Sequence, residues 1–344
     1  MNPIMTSLII SSLALGTIIT LSSYHWLLAW MGLELNALAI IPIIAKHHHP
    51  RATEAATKYF LTQAAASALL LFASIINAWS TGTWSIIEFS DPQASIMLTT
   101  ALALKLGLAP LHFWLPEVLQ GTTMQTALII TTWQKLAPLT LFYLTYNSLH
   151  PMTLLIMALL STFIGGWGGL NQTQTRKIMA FSSIAHLGWM AAILLLNPNI
   201  MLLNLMLYIL LTAPTFMLLM FSSAKTVQDL TTLWVVSPTT TALILFLLMS
   251  LGGLPPLTGF MPKWLILQEL TSHNLTPTAT LMTAATLLNL FFYLRLTYMA
   301  SLTLHPLTTQ HKHKWRFYPN FNTTTMVILI TLATLLLPMT PMFT

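Results

Sequence analysis

Apolar segments of about 20 residues, the length that an α-helix needs to cross a bilayer, follow one another along almost the whole chain. Strands are not expected, because none of these segments alternates apolar and polar residues over a sustained stretch. The pattern predicts an all-α polytopic membrane protein with about eleven transmembrane helices. The predicted segments are residues 3–22, 25–45, 52–79, 94–118, 123–146, 150–170, 174–195, 199–222, 240–269, 276–300 and 322–341.

The composition supports one membrane-embedded domain over residues 1–344. Of these residues, 56% are hydrophobic and 6% are charged, whereas soluble domains carry about 25% charged residues. The chain has no cysteine, which excludes disulfides, thiolate zinc sites and cysteine-ligated iron–sulfur clusters within it. No removable N-terminal signal is expected, because the first residues lack a basic region and a small-residue cleavage site.

The charged residues of the predicted loops divide between the two sides of the membrane. One side carries Lys46, Arg51, Arg176, Lys177, Lys225, Lys312, Lys314 and Arg316. The other side carries Glu88, Asp91 and Glu269. The positive-inside rule places the basic side inward, so with an odd number of spans the N-terminus is inside and the C-terminus outside. We interpret the basic loop at 311–320 as an orientation signal or a contact with anionic lipid, and not as a nucleic-acid site.

One proline-containing motif occurs twice. GLAPLHFWLPE at residues 107–117 matches GLPPLTGFMPK at residues 253–263, at a constant offset of 146 positions. In lipid, a helix breaks only where neighbouring protein or water satisfies the freed backbone groups. The motifs therefore predict broken fourth and ninth helices. Since five is odd, two groups of five helices enter the membrane in opposite orientations, which predicts inverted repeats over about 1–146 and 150–300 and an extra helix at about 322–341.

Five ionisable residues are predicted to lie near the middle of the membrane. They are Glu34, Lys105, Lys135, His186 and Lys263. A lysine at the bilayer centre costs about 2.5–3.5 kcal/mol, so such residues rarely occur without a function. Glu34 and Lys105 are predicted to pair directly or through one water, although that pair could be purely structural. His186, like His112 in the first motif, could transfer protons or bridge two helices by a hydrogen bond.

Opposite charges in a row of low dielectric are suited to proton relay. At an effective dielectric constant near 20, two charges about 4 Å apart interact by roughly 4 kcal/mol. That energy is enough to change the protonation of a buried lysine that has lost its hydration. We therefore hypothesise that a change at the Glu34–Lys105 pair passes to Lys135 and on to Lys263.

Two other polar clusters have simpler interpretations. Glu54 and Lys58 are four residues apart near the inner edge of the third helix, which is typical of an interfacial ion pair with a snorkelling lysine. The triplet His47, His48 and His49 has no neighbouring carboxylate and is a poor metal site, so no metal is expected.

Several motifs together resemble the antiporter-like membrane subunits of respiratory complex I. They are GLELN at 32–36, KYFLTQAAAS at 58–67, KLGLAPLHFWLPEVLQG at 105–121, WQKLAPL at 133–139 and GGLPPLTGFMPKW at 252–264. The resemblance covers essentially the whole chain and is strongest to the short, animal mitochondrial subunit 2 type, since subunits 4 and 5 share the fold but are considerably longer. It implies that Glu34 pairs with Lys105, that Lys135 is a central-axis lysine, and that Lys263 belongs to the second broken helix.

The resemblance implies a proton-translocating module of the mitochondrial inner membrane, with its N-terminus in the matrix and its C-terminus in the intermembrane space. Electron transfer from NADH to ubiquinone would occur in other chains, and no cofactor is expected here. The implied partners are neighbouring antiporter-like and small membrane subunits, accessory subunits and phospholipid, with cardiolipin as one candidate. Two alternatives remain. A stand-alone cation/proton antiporter would need a mid-membrane Asp or Asn–Asp cluster, which this sequence does not show. A purely structural scaffold gives no reason for lysines that are costly to bury in lipid.

Overall fold

The computed structural model describes residues 3–302 and 324–338. Within these ranges the chain forms fifteen α-helices and no β-strand, with isolated bridges only at His25–Ser85 and Gln174–Thr226. The basic loop at 311–320 and both ends of the last predicted segment lie outside the described residues. The helices are α1 Pro3–Ser22, α2 Trp26–Ile44, α3 Pro50–Thr81, α4 Pro92–Leu106, α5 Trp114–Gly121, α6 Met124–Thr131, α7 Leu136–Leu144, α8 Pro151–Gly169, α9 Thr175–Leu194, α10 Pro198–Phe221, α11 Val227–Val236, α12 Pro238–Gly252, α13 Phe260–Ser272, α14 Thr276–Leu302 and α15 Thr324–Leu335.

Seven helices of the described ranges are long and apolar enough to cross a membrane, namely α1, α2, α3, α8, α9, α10 and α14. The prediction of an all-helical, multi-pass membrane protein is therefore confirmed. Three further predicted segments, residues 94–118, 123–146 and 240–269, are each divided between two shorter helices. These divisions place irregular backbone next to the charged residues.

Both proline-containing motifs interrupt a helix, and both interruptions have the same form. Gly107, with φ +80, follows the last residue of α4, and Gly253, with φ +82, follows the last residue of α12. Glycine adopts this left-handed conformation without the steric cost that a Cβ brings. The chain then runs for seven residues before α5 and α13 begin at Trp114 and Phe260.

A third interruption was not predicted, so the prediction of one continuous helix over 123–146 is wrong. Helix α6 ends at Thr131, a 3₁₀ turn spans Trp133–Lys135, and α7 begins at Leu136. Pro138 favours this interruption, because its ring would clash with the carbonyl group four residues earlier in a continuous helix. In the first turn of α7 its missing N–H group costs nothing.

The chain divides into two compact units. The first contains Met1–Ser161 with Leu194–Pro198, and the second contains Thr162–Ile193 with the described part of Asn199–Thr344. In the first unit, α1 packs on α2, and α3 packs on α2, α4 and α5. In the second unit, α14 packs on α11, α12 and α13.

Helix α11 lies in a segment that was predicted to be a loop, and its start is fixed by a capping box. The Thr226 hydroxyl accepts a hydrogen bond from the Asp229 N–H group at 3.3 Å. In return, the Asp229 carboxylate accepts from the N–H groups of Thr226 at 2.8 Å and Lys225 at 2.9 Å. Burial alone would raise the pKa of the Asp229 carboxyl, but these hydrogen bonds outweigh it and hold the pKa below its ordinary value of 3.8.

Asp229→Ala should loosen the start of α11. A cap of this kind contributes about 1 kcal/mol, so hydrogen exchange of the 222–236 segment should become about fivefold faster. Because the native pKa is depressed, the stabilisation is complete above pH 3.8 and lost as the pH falls below it. Gln228→Ala, an exposed change on the same turn, is the control and should leave exchange unchanged. Equal rates in the Asp229 variant and the wild type would contradict this role.

Candidate functional site

Lys105 and Lys135 line the same cavity in the first unit. Their exposed fractions are only 6% and 2%. The cavity measures about 20 Å³ and lies where α2, α3, α4, α5 and the α6–α7 segment meet. The sequence predicted the two lysines on separate segments, and the structure brings them together.

The uncharged polar side chains of this cavity are suited to hold water. Asn36 and Gln134 both line it, and neither amide atom of Asn36 nor the Nε2 of Gln134 has a protein hydrogen-bond partner among the described residues. The Tyr59 hydroxyl donates to Gln134 Oε1 at a long 3.5 Å. A cavity needs about 10–15 Å³ and several polar partners to hold a water molecule, and this one meets both conditions.

The helix interruptions explain how two lysines reach this cavity. Lys105 lies in the last turn of α4, two residues before Gly107, and Lys135 ends the 3₁₀ turn before α7. The carbonyl groups at the end of α4 are satisfied by neighbouring side chains, since the Trp114 indole donates to Leu104 O at 3.0 Å. Carbonyl groups at a helix C-terminus also favour a nearby cation.

Glu34 is half-buried on α2 and lies close enough to act electrostatically on Lys105 and on the Tyr59 hydroxyl. Among the described residues, however, no direct ion pair within 4.0 Å joins Glu34 to Lys105. The direct form of the predicted pair is therefore absent. A link through one water stays a prediction.

His112 lies in the first interruption but does not line this cavity. Its side chain is buried, its Nδ1 lies 3.3 Å from Pro110 O, and its ring packs on Phe113 at 4.3 Å between centroids. These contacts fit a structural role in the irregular segment.

Lys263 and His186 meet at a second, smaller cavity in the second unit. The cavity measures about 10 Å³ and is also lined by Ser182, Trp189, Asn289 and Tyr293. Lys263 Nζ donates to Gly252 O, at the end of α12, at 2.7 Å. Asn289 Oδ1 and Trp189 Nε1 have no hydrogen-bond partner in the described part of the chain.

Comparison with known proteins decides the family. A sequence model for "NADH:quinone oxidoreductase/Mrp antiporter, TM" matches residues 23–290, and one for "NADH dehydrogenase subunit 2 C-terminus" matches residues 290–344. NADH-ubiquinone oxidoreductase chain 2 of Varanus timorensis is 59% identical over 342 residues, 99% of each chain. That of Xenopus laevis is 54% identical over the same length and coverage. The chain belongs to the NADH-ubiquinone oxidoreductase chain 2 family.

Solved structures agree with this membership. A chain of respiratory complex I from Thermus thermophilus with bound aureothin is 26% identical, with a TM-score of 0.84 over 98% of this chain and 80% of that one. A chain of the Mrp complex from Dietzia sp. DQ12-45-1b shares the fold at 17% identity, with a TM-score of 0.79 over 86% of this chain and 60% of that one. This member of the chain 2 family therefore has the antiporter-like fold.

An ion-pair cluster at the surface of this chain 2 family member joins two helices. Lys58 Nζ lies 2.5 Å from Glu54 Oε1, which confirms the predicted pair on α3. It also lies 2.7 Å from Glu117 Oε2 on α5, a contact that was not predicted. All three side chains are well exposed, so the cluster links α5 to α3 but adds little stability.

One histidine of the triplet has a structural role in the same region. His49 Nδ1 accepts a hydrogen bond from the Arg51 N–H group at 3.2 Å and so caps the start of α3. The long third helix thus begins with a side-chain cap followed by Pro50 at its first position.

Proposed function

We propose that this chain is a proton-translocating membrane-arm subunit of mitochondrial respiratory complex I. NADH oxidation and ubiquinone reduction would take place in other subunits and drive the translocation. The observation that carries the proposal is the cavity shared by Lys105 and Lys135. Family membership supports it, since the related chains are named NADH-ubiquinone oxidoreductase chain 2.

Lys105 and Lys135 line one cavity, and a water molecule in it would let a proton pass between them. An amine exchanges its proton with a water molecule to which it is hydrogen-bonded, and the cavity has room for one water. In surroundings of low dielectric, a proton on Lys105 would disfavour one on Lys135 wherever the two amines approach each other, because like charges repel strongly there. Glu34 adds an opposite charge close to Lys105. Loading of one lysine is thus coupled to release from the other.

The second unit would hold a corresponding centre of Lys263 and His186, which line one cavity. Here a single amine faces an imidazole, and either group can accept a proton from the other through water or by direct approach. The hypothesis that a signal passes from Lys135 to Lys263 stays a prediction. So does a catalytic role for His112.

We further propose how the helices of the chain are arranged in the membrane. The chain would cross the inner membrane about eleven times as two inverted five-helix repeats and a final helix, with its N-terminus in the matrix. The equal form of the interruptions after Gly107 and Gly253 supports the repeats, and the basic loop residues support the orientation. Its partners would be neighbouring antiporter-like and small membrane subunits, accessory subunits and phospholipid, including cardiolipin.

Gln134→Met separates proton transfer from a scaffold role. Methionine keeps the length of the side chain but removes the amide that lines the cavity. We expect the complex to assemble and its proton pumping to fall several-fold, because water loses a binding partner between the lysines. The measurement is NADH-driven acidification of reconstituted vesicles, normalised to assembled complex.

Gln174→Met is the matched control for this experiment. Gln174 is also half-buried with a partnerless amide oxygen among the described residues, but it lines neither lysine cavity. Its replacement should leave pumping unchanged. A scaffold predicts normal pumping in both variants.

A further inference from the structure

The amine of Lys263 caps the C-terminal end of α12. Its Nζ donates to the carbonyl oxygen of Gly252, the last residue of that helix, at 2.7 Å. The last carbonyl groups of a helix have no partner within it and carry the negative end of the helix dipole. An ammonium is therefore better satisfied at this position than a neutral amine.

The Lys263 side chain passes close to Gly253 where it reaches the helix end. A Cβ at this position would lie 2.6 Å from Lys263 Nζ and 3.0 Å from its Cδ and Cε. Two other glycines end helices with a similar left-handed conformation, Gly82 at φ +73 and Gly107 at φ +80. A Cβ at Gly82 would meet nothing within 4 Å, and one at Gly107 would make ordinary contacts of 3.5 Å and longer. Gly253 differs from Gly82 and Gly107 because a lysine side chain passes close to it.

The two interruptions differ in what caps the preceding helix. At the end of α4 the donors are the Trp114 indole, which bonds to Leu104 O at 3.0 Å, and the Gln63 amide, which bonds to Lys105 O at 3.5 Å, and neither donor titrates. At the end of α12 the donor is a group that gains and loses protons. The strength of this cap thus depends on the charge of Lys263, whereas the strength of the first cap does not.

The geometry points to the C-terminal end of α12 as the resting position of the Lys263 ammonium, with Gly253 as a positioning residue. This inference rests on the proposed function. The protonated side chain stays at Gly252 O, and after transfer of its proton to water or to the His186 imidazole the neutral amine is held less strongly. The side chain is then free to turn into the cavity that it shares with His186. The titratable groups that line this cavity with it are His186 on α9 and Tyr293 on α14.

The test is the pH profile of proton pumping by the assembled complex with Gly253→Ala. The added Cβ displaces the ammonium from the carbonyl group, so Lys263 gives up its proton more readily. We expect the alkaline limb of the profile to move by about one pH unit towards acid, the size of a favourable charge–helix-end interaction. An unmoved profile would overturn the inference.

Four further variants complete the experiment. Gly82→Ala brings the same backbone strain without a close contact and should keep the wild-type profile. Gly107→Ala brings the same backbone strain at the first interruption. An equal shift of the alkaline limb in that variant would contradict the role of Lys263. If Gly253→Ala does not assemble, Gly253→Asn carries the same test, because asparagine tolerates this conformation. Normal pumping by Lys263→Met would reject the proposed function of Lys263 itself. If Lys263→Met loses pumping but the pH profile of Gly253→Ala does not move, only the resting position is rejected.

Discussion

Lys135→Met should reduce proton pumping of the assembled complex by at least tenfold. Lys135 is 2% exposed and lines the cavity that it shares with Lys105. Methionine roughly keeps the side-chain volume and is well tolerated in an apolar environment, so the chain should still fold and assemble. The group that binds the proton is lost. NADH oxidation and vesicle acidification should be measured on the same preparation, because coupled turnover slows when the proton path is blocked.

Lys135→Arg should be nearly as damaging, although it keeps the charge. A guanidinium does not release its proton in proteins, so the residue cannot complete a transfer cycle. Lys46→Met, at an exposed position in the 3₁₀ turn that follows α2, is the control and should pump normally. A structural role for the charge of Lys135 predicts the opposite order, with arginine tolerated and methionine harmful to assembly.

Gly259→Ala should prevent assembly of the chain. A Cβ at Gly259 would overlap the backbone carbonyl oxygen of Ser250, and backbone on both sides of the second interruption cannot move apart without breaking it. Overpacking typically costs about 1–3 kcal/mol where side chains can yield, and here the obstacle is backbone. The amount of assembled complex on native gels should fall to a small fraction of the wild-type amount.

Gly252→Ala is the matched control at the same interruption. Its Cβ would lie 3.6 Å from the Tyr293 side chain, which is ordinary contact, and alanine favours the helix that Gly252 ends. This variant should assemble at least as well as the wild type. Equal assembly of both variants would show that the close approach of Gly259 to Ser250 is not required.

The positions of the two long interruptions could be predicted from sequence because glycine and proline act locally. Gly107 and Gly253 provide the left-handed residue that ends each helix, and the prolines that follow prevent its continuation. The interruption before α7 was missed, although Pro138 is a readable signal. The threonine-rich, apolar segment is typical of one continuous helix, and only the clash of the Pro138 ring with the carbonyl group four residues earlier argues against it.

The lysines could be predicted for a different reason, their cost in lipid, but their neighbours could not. Asn36, Gln134 and Asn289 are uncharged residues in helices that are apolar on all sides, so the sequence does not show which of them face inward. Only the packing of the helices brings Asn36 and Gln134 to the Lys105 cavity. Lys58 shows the same limit, since its second partner, Glu117, is distant in sequence.

The most direct measurement is a cryo-electron microscopy map of the assembled complex at a resolution that shows ordered water. It should contain a water molecule in the cavity of Lys105 and Lys135, hydrogen-bonded to Asn36 or Gln134 and within about 3 Å of a lysine amine. Such a water would provide the route by which one amine passes a proton to the other. A cavity that is filled by side chains, or dry with the amides of Asn36 and Gln134 bonded to each other, would contradict proton transfer between these lysines.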